Sequence, residues 1–169
     1  MSRIDANAAR HRITQELPAR IRWILPCGPL DFDFTRSQRE LRPLRETDTN
    51  GFDSPKEWNK LLLFGEETYC EGGGYAPFLG VSEETGQVFG LDVDRESDSA
   101  MYLLNSDVDR YIQTFKVFDQ ALGHETVSHD LVEKVRKEAR AIDPAVFDIT
   151  EWSDLADFID ESLDALDQM

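Results

Sequence analysis

The spacing of apolar residues changes once in the second half of this chain, and that change constrains the fold more than any other feature. Residues 75–81, 87–92 and 100–104 form three short runs rich in aromatic and branched side chains. Glu83-Glu84-Thr85-Gly86 and Asp94-Arg95-Glu96-Ser97-Asp98 separate them. Runs of that length between turn residues predict strands, and their short connections predict an antiparallel meander. Gly86 supplies the positive φ that a tight connection needs. Beyond residue 105 the apolar residues recur every three or four positions, as on a helix. Val108, Tyr111, Ile112, Phe115, Phe118 and Leu122 form one stripe, stopped by Gly123. Leu131, Val132, Val135 and Ala139 form a second, over about 128–139. Trp152, Leu155, Ile159, Leu163 and Leu166 form a third. Ser106-Asp107-Val108-Asp109 reads as a capping box with Asp in place of Glu, and Asp148 with Glu151 as another.

The first 60 residues carry weaker signals. A short helix over 3–16 is expected to end at Pro18, making 1–20 a peripheral segment. Ile21, Trp23 and Leu25 alternate, as do Leu30, Phe32 and Phe34 beyond Cys27-Gly28-Pro29, which predicts one or two strands around a turn. Asp31 and Asp33 then fall on the exposed face. Residues 36–45 are basic and polar, a loop or an edge segment. Ser54-Pro55-Lys56-Glu57 reads as the start of a short helix with Trp58, Leu61 and Leu62 inward, and a strand beginning near Leu61. There is no internal repeat and no long linker. The expected fold over 1–169 is a single α+β domain, a central antiparallel sheet flanked by helices.

Charge excludes some functions. The chain has 169 residues, with 34 Asp and Glu against 18 Lys and Arg, for a net charge of -16. Residues 1–60 hold 11 basic and 9 acidic side chains; residues 61–169 hold 7 and 25. Direct binding to nucleic acid or to an anionic membrane is disfavoured, because both rest on basic groups. No apolar run approaches a membrane span, and the N-terminal stretch has none of signal-peptide length. Cys27 and Cys70 lack CxxC spacing and read as free thiols. A cytoplasmic protein is expected.

Catalytic and metal motifs are missing. Asp92, Asp94, Glu96 and Asp98 alternate like the front of a calcium loop, but Ser97 stands where glycine is needed and Leu103 where glutamate is needed. His11, His124 and His129 form neither HExxH nor HxH, and no thiol motif surrounds the cysteines. Gly72-Gly73-Gly74 fits no nucleotide-binding loop. No enzyme, no cofactor and no metal are expected. Glu66-Glu67 and Glu83-Glu84 adjoin turns, where exposure is the default.

The order of elements resembles the SMI1/KNR4 (SUKH) superfamily. Leu63-Phe64-Gly65, Ala76-Pro77-Phe78-Leu79-Gly80-Val81 and Thr85-Gly86-Gln87-Val88-Phe89-Gly90-Leu91-Asp92 look like its strand, Thr-Gly turn and second strand with a terminal acid. Leu104-Asn105-Ser106-Asp107-Val108 is similar to its Asn-Ser helix start. Ile142-Asp143-Pro144-Ala145, Trp152 and the last amphipathic helix resemble the SUKH-4 branch, so the likeness spans roughly 61–165. It implies an α+β fold without a catalytic motif. It also implies an immunity protein that binds and neutralises a cognate polymorphic toxin, such as a nuclease or deaminase. The alternative is a non-catalytic regulatory or scaffolding interaction domain.

A toxin that processes nucleic acid carries a basic surface, which an acidic protein can cover. The expected partner contacts are Glu66, Glu67, Glu71, Glu83, Glu84, Asp92, Asp94, Glu96 and Asp98. Tyr69, Tyr75 and Phe78 are candidate aromatic anchors. Asp154, Asp157, Asp160 and Glu161 form a second candidate patch.

Overall fold

Asp5 opens the first helix, α1 (Ala6–Glu16), by accepting from the amides of Asn7 and Ala8 at 3.0 and 3.1 Å. Only Ile13 of this helix is buried. The computed structural model describes residues 4–43, 56–69, 77–93, 95, 99–123 and 126–168.

Strands β1 (Arg20–Leu25) and β2 (Gly28–Asp33) form an antiparallel hairpin. Gly28 takes the turn with φ 127°, a conformation that needs the missing Cβ. Alternation then sorts the side chains. Trp23, Leu25, Leu30 and Phe32 are buried, while Arg22 pairs with Asp31 on the outer face at 2.6 and 2.9 Å.

The sheet continues through β3 (Arg42–Pro43), β4 (Leu61–Tyr69), β5 (Phe78–Ser82), β6 (Val88–Leu91) and β7 (Met101–Asn105). Its order is β1-β2-β4-β5-β6-β7, with β3 beside β4, and every pairing is antiparallel. The expected meander, β5-β6-β7, is therefore three strands of a seven-stranded sheet. Gly86 turns β5 into β6 with φ 77°, as its position predicts. The expected helix start at Ser54-Pro55 lies outside the described residues; a 3-10 turn covers Lys56–Lys60.

Helices α2 (Val108–Leu122), α3 (His129–Ile142) and α4 (Glu151–Asp167) follow. Two starts differ from expectation. Asp107, not Ser106, caps α2 by accepting from the Arg110 amide at 2.8 Å, because the Ser106 hydroxyl is drawn to Asp143. Asp148 lies in a 3-10 turn (Phe147–Ile149) and takes Arg140, so α4 begins after Thr150. Along α4 the buried residues are Trp152, Ala156 and Ile159; Leu166 is exposed.

The helices share one core with the inner sheet face, built on Trp23, Phe32, Phe34, Phe64, Phe115, Phe118 and Trp152. Alternate residues of the same strands, Leu61, Leu63, Phe78 and Leu91, pack with Trp58 into a second, smaller cluster.

Candidate site beneath the last helix

Glu66 and Glu67 are neighbours in β4 with opposite surroundings, and a β-bulge separates them. The pairing of β4 with β5 slips between Leu63 and Gly65. Leu62 and Phe64 belong to the helix-side core. Strict alternation from them would turn Glu66 inward; the slip turns Glu67 inward instead. Gly65 permits this. A Cβ there would lie 2.8 Å from the Phe34 ring and 2.9 Å from the Asp33 carbonyl oxygen. Glu66 stays outside, paired with Arg36 at 3.2 Å.

Glu67 lines a pocket of about 290 Å³ between the inner sheet face and α4. Leu30 and Phe32 of β2, Leu104 of β7, and Trp152, Leu155 and Phe158 of α4 form its apolar wall. Glu67, Arg95, Tyr111, Glu151 and Asp154 are its polar groups. The Tyr102 hydroxyl donates to Glu67 at 2.5 Å. Its ring reaches that far because it lies over Gly90, where a Cβ would come within 2.1 Å of it. The Arg95 guanidinium stands 4.9 Å from the centre of the Tyr102 ring. It also reaches Glu151 at 3.2 Å and Asp92 at 3.4 Å.

Burial sets the titration of these groups. It pushes the Glu67 carboxyl up to about 7, against the opposing hydrogen bond from Tyr102. Burial also raises Glu151, with Arg95 pulling the other way. Both tyrosines are held neutral: burial raises Tyr102 and Tyr111, and the charge on Glu67 adds to each. The Tyr111 hydroxyl has no hydrogen-bond partner among the described residues, although the side chain is 1% exposed. Such a group stands out, because buried hydroxyls are ordinarily paired.

A buried polar hub fixes α4 over the pocket. The Trp152 indole donates to Asn105 Oδ1 at 2.8 Å. Asn105 Nδ2 donates to Thr114 at 3.1 Å and to Asp143 at 3.2 Å. Asp143 also accepts from the Ser106 amide at 2.8 Å and from its hydroxyl at 2.6 Å. Asn105, Ser106 and Asp143 thus tie β7 to the segment between α3 and α4.

The expected contacts separate. Glu83 and Glu84 sit on the β5–β6 turn, and Glu84 pairs with Lys60 at 3.0 Å. Asp92 is half-buried beside Arg95. Glu67 is not the exposed turn residue expected: it lies inside a central strand. Phe78 is a core residue, 6% exposed, because it faces the second cluster. Glu71, Tyr75, Asp94, Glu96 and Asp98 lie outside the described residues, as does the side chain of Tyr69. Of the second patch, Asp154 lines the pocket, while Asp157 and Asp160 hold Arg136 at 2.8 and 2.6 Å. Arg95, Tyr102, Tyr111 and Glu151 were not foreseen as site residues. Gly90, the cross-strand partner of Tyr102, is a signal for the seat of that ring alone.

His129, Asp164 and Asp167 bring ligand atoms within 4.8 Å of one another and are exposed. His129 also pairs with Asp160 at 2.8 Å, so ion pairing accounts for this group. No described helix is long and apolar enough to cross a membrane.

Comparison with curated proteins returns no match, and neither does comparison with solved structures. The family model of the SUKH-4 immunity proteins matches residues 7–158. That span runs from α1 into α4 and includes every described residue of the pocket and the hub: this chain belongs to the SUKH-4 immunity protein family.

Proposed function

We propose that this protein binds one cognate toxin in the cytoplasm and neutralises it without catalysis, by covering a basic, nucleic-acid-binding groove. The family match over 7–158 carries the reading. Charge supports the mechanism, since the residues from 61 onward hold 25 acids against 7 basic side chains. Complementary charge of this kind speeds encounter and selects the partner. The exposed Glu84, its half-buried neighbour Glu83, and the exposed α4 acids Asp154, Asp157 and Glu161 are offered as contacts. Phe158, 43% exposed at the pocket rim, supplies an apolar anchor among them.

Co-expression with a toxin domain encoded beside the gene tests this. Restored growth and a complex that co-purifies and weakens with salt support it. A complex with some other protein, and no protection from the toxin, points instead to a regulatory interaction domain.

A further inference from the structure

We propose that the pocket beneath α4 receives one arginine side chain of the partner, with its stem along Trp152, Leu155 and Phe158 and its guanidinium between Glu67, Glu151 and Tyr111. This rests on the immunity reading and adds to it the place and chemistry of the anchor.

Four observations converge on that occupant. The volume, about 290 Å³, is at the lower limit of cavities that take drug-sized ligands, roughly 300–1,000 Å³. One long side chain suits it better. The walls are apolar and aromatic along one side, which matches the stem of an arginine. The polar groups are three carboxyls, Glu67, Glu151 and Asp154, against the single guanidinium of Arg95. The fourth is Tyr111, which lines the pocket and whose buried hydroxyl has no partner among the described residues. Its oxygen can accept from a guanidinium, whose five N–H groups also serve two carboxylates at once. Arg95 shows the same chemistry at the mouth, with a guanidinium over Tyr102 and against Glu151.

A cationic guest favours the ionised form of Glu67. That carboxyl faces Tyr102 from β7, Tyr111 from α2, Glu151 from α4, and Arg95 and Asp92 from the segment after β6. Of these only Arg95 is cationic, so the guest must supply the balancing charge. Binding should therefore release a proton below neutrality and strengthen as pH rises toward 7.

The test uses Nα-acetyl-arginine amide as a probe, its citrulline counterpart as the uncharged control, and the full chain. The arginine probe is expected to shift the Trp152 indole N–H resonance saturably, with a Kd on the order of millimolar. The citrulline probe should bind about tenfold more weakly or not at all. Tyr111→Phe keeps the ring packing and should weaken the probe several-fold without loss of thermal stability. Glu67→Gln with Glu151→Gln should lower affinity for the toxin about 100-fold. The control Glu40→Gln with Glu138→Gln removes at least as much charge elsewhere and should change it by less than about threefold. Absence of saturable arginine binding, or equal binding of citrulline, overturns the proposal. So does full toxin affinity in the Glu67, Glu151 double variant, an outcome that leaves the immunity reading intact. Saturable probe binding by a chain that forms no toxin complex separates the two the other way.

Discussion

Tyr102 on β7 donates its hydroxyl to Glu67 on β4 at 2.5 Å, across the two strands that lie between them. That reach depends on Gly90 beneath the ring and on the bulge at Gly65 that turns Glu67 inward. The pair places a carboxyl that titrates near neutrality under α4.

Glu67 makes stability fall as pH rises. Its ordinary value is 4.5 and its folded value is about 7. Between these the unfolded chain loses a proton that the folded chain keeps, so ionisation favours unfolding. The cost, complete about one unit above pH 7, is on the order of 3 kcal/mol. Glu67→Gln should therefore raise stability above neutrality and flatten the decline. Urea unfolding on both sides of this window checks it, and an unchanged slope in the variant counts against the assignment.

His129 acts in the same direction through different groups. Its folded pKa is raised by the hydrogen bond with Asp160 and by the charges of Asp164 and Asp167. The contribution is complete below the ordinary value of 6.5 and is lost as pH rises through the raised one. His129→Gln should remove this pH dependence from the last turns of α4. Amide-exchange protection over Asp160–Asp167, corrected for intrinsic exchange, reports it; identical profiles with and without the imidazole contradict it.

Gly90→Ala tests the seat of Tyr102. The new methyl group would collide with the ring at 2.1 Å, and overpacking of this kind costs about 1–3 kcal/mol. Tyr102 should leave Glu67, so the Glu67 carboxyl should show a changed titration by NMR. A variant of wild-type stability with an unmoved Glu67 titration contradicts this account.

Asp143→Ala should be among the most damaging substitutions in the chain. It strips an acceptor from Asn105 Nδ2 and from the Ser106 amide and hydroxyl. Donors left unpaired at this depth cost about 1–3 kcal/mol each, with partial relief by water. A lowered urea midpoint and loosened Trp152 packing are expected. A loss below about 1 kcal/mol shows that the hub does not hold α4.

The elements most legible in the sequence were those with long periodic stripes. The stripe of Tyr111, Phe115 and Phe118 is buried as expected, and so are Val132, Val135 and Ala139. The Asn105-Ser106 and Asp143 segments, which carried the family resemblance, bond directly to each other. The site was less legible because a bulge is invisible to alternation. Reading on from Leu62 and Phe64 places Glu66 inside, whereas the slip at Gly65 places Glu67 there. The orphan hydroxyl of Tyr111 was hidden for another reason: its ring fits the helical stripe, and only tertiary packing shows that no described residue meets its oxygen.

The most direct measurement is calorimetric titration of the full chain with the toxin domain encoded beside its gene, at low and high salt. The account predicts a one-to-one complex with a Kd near nanomolar that weakens as salt rises, together with protection of cells expressing the toxin. No complex at about micromolar concentration and no protection would contradict it.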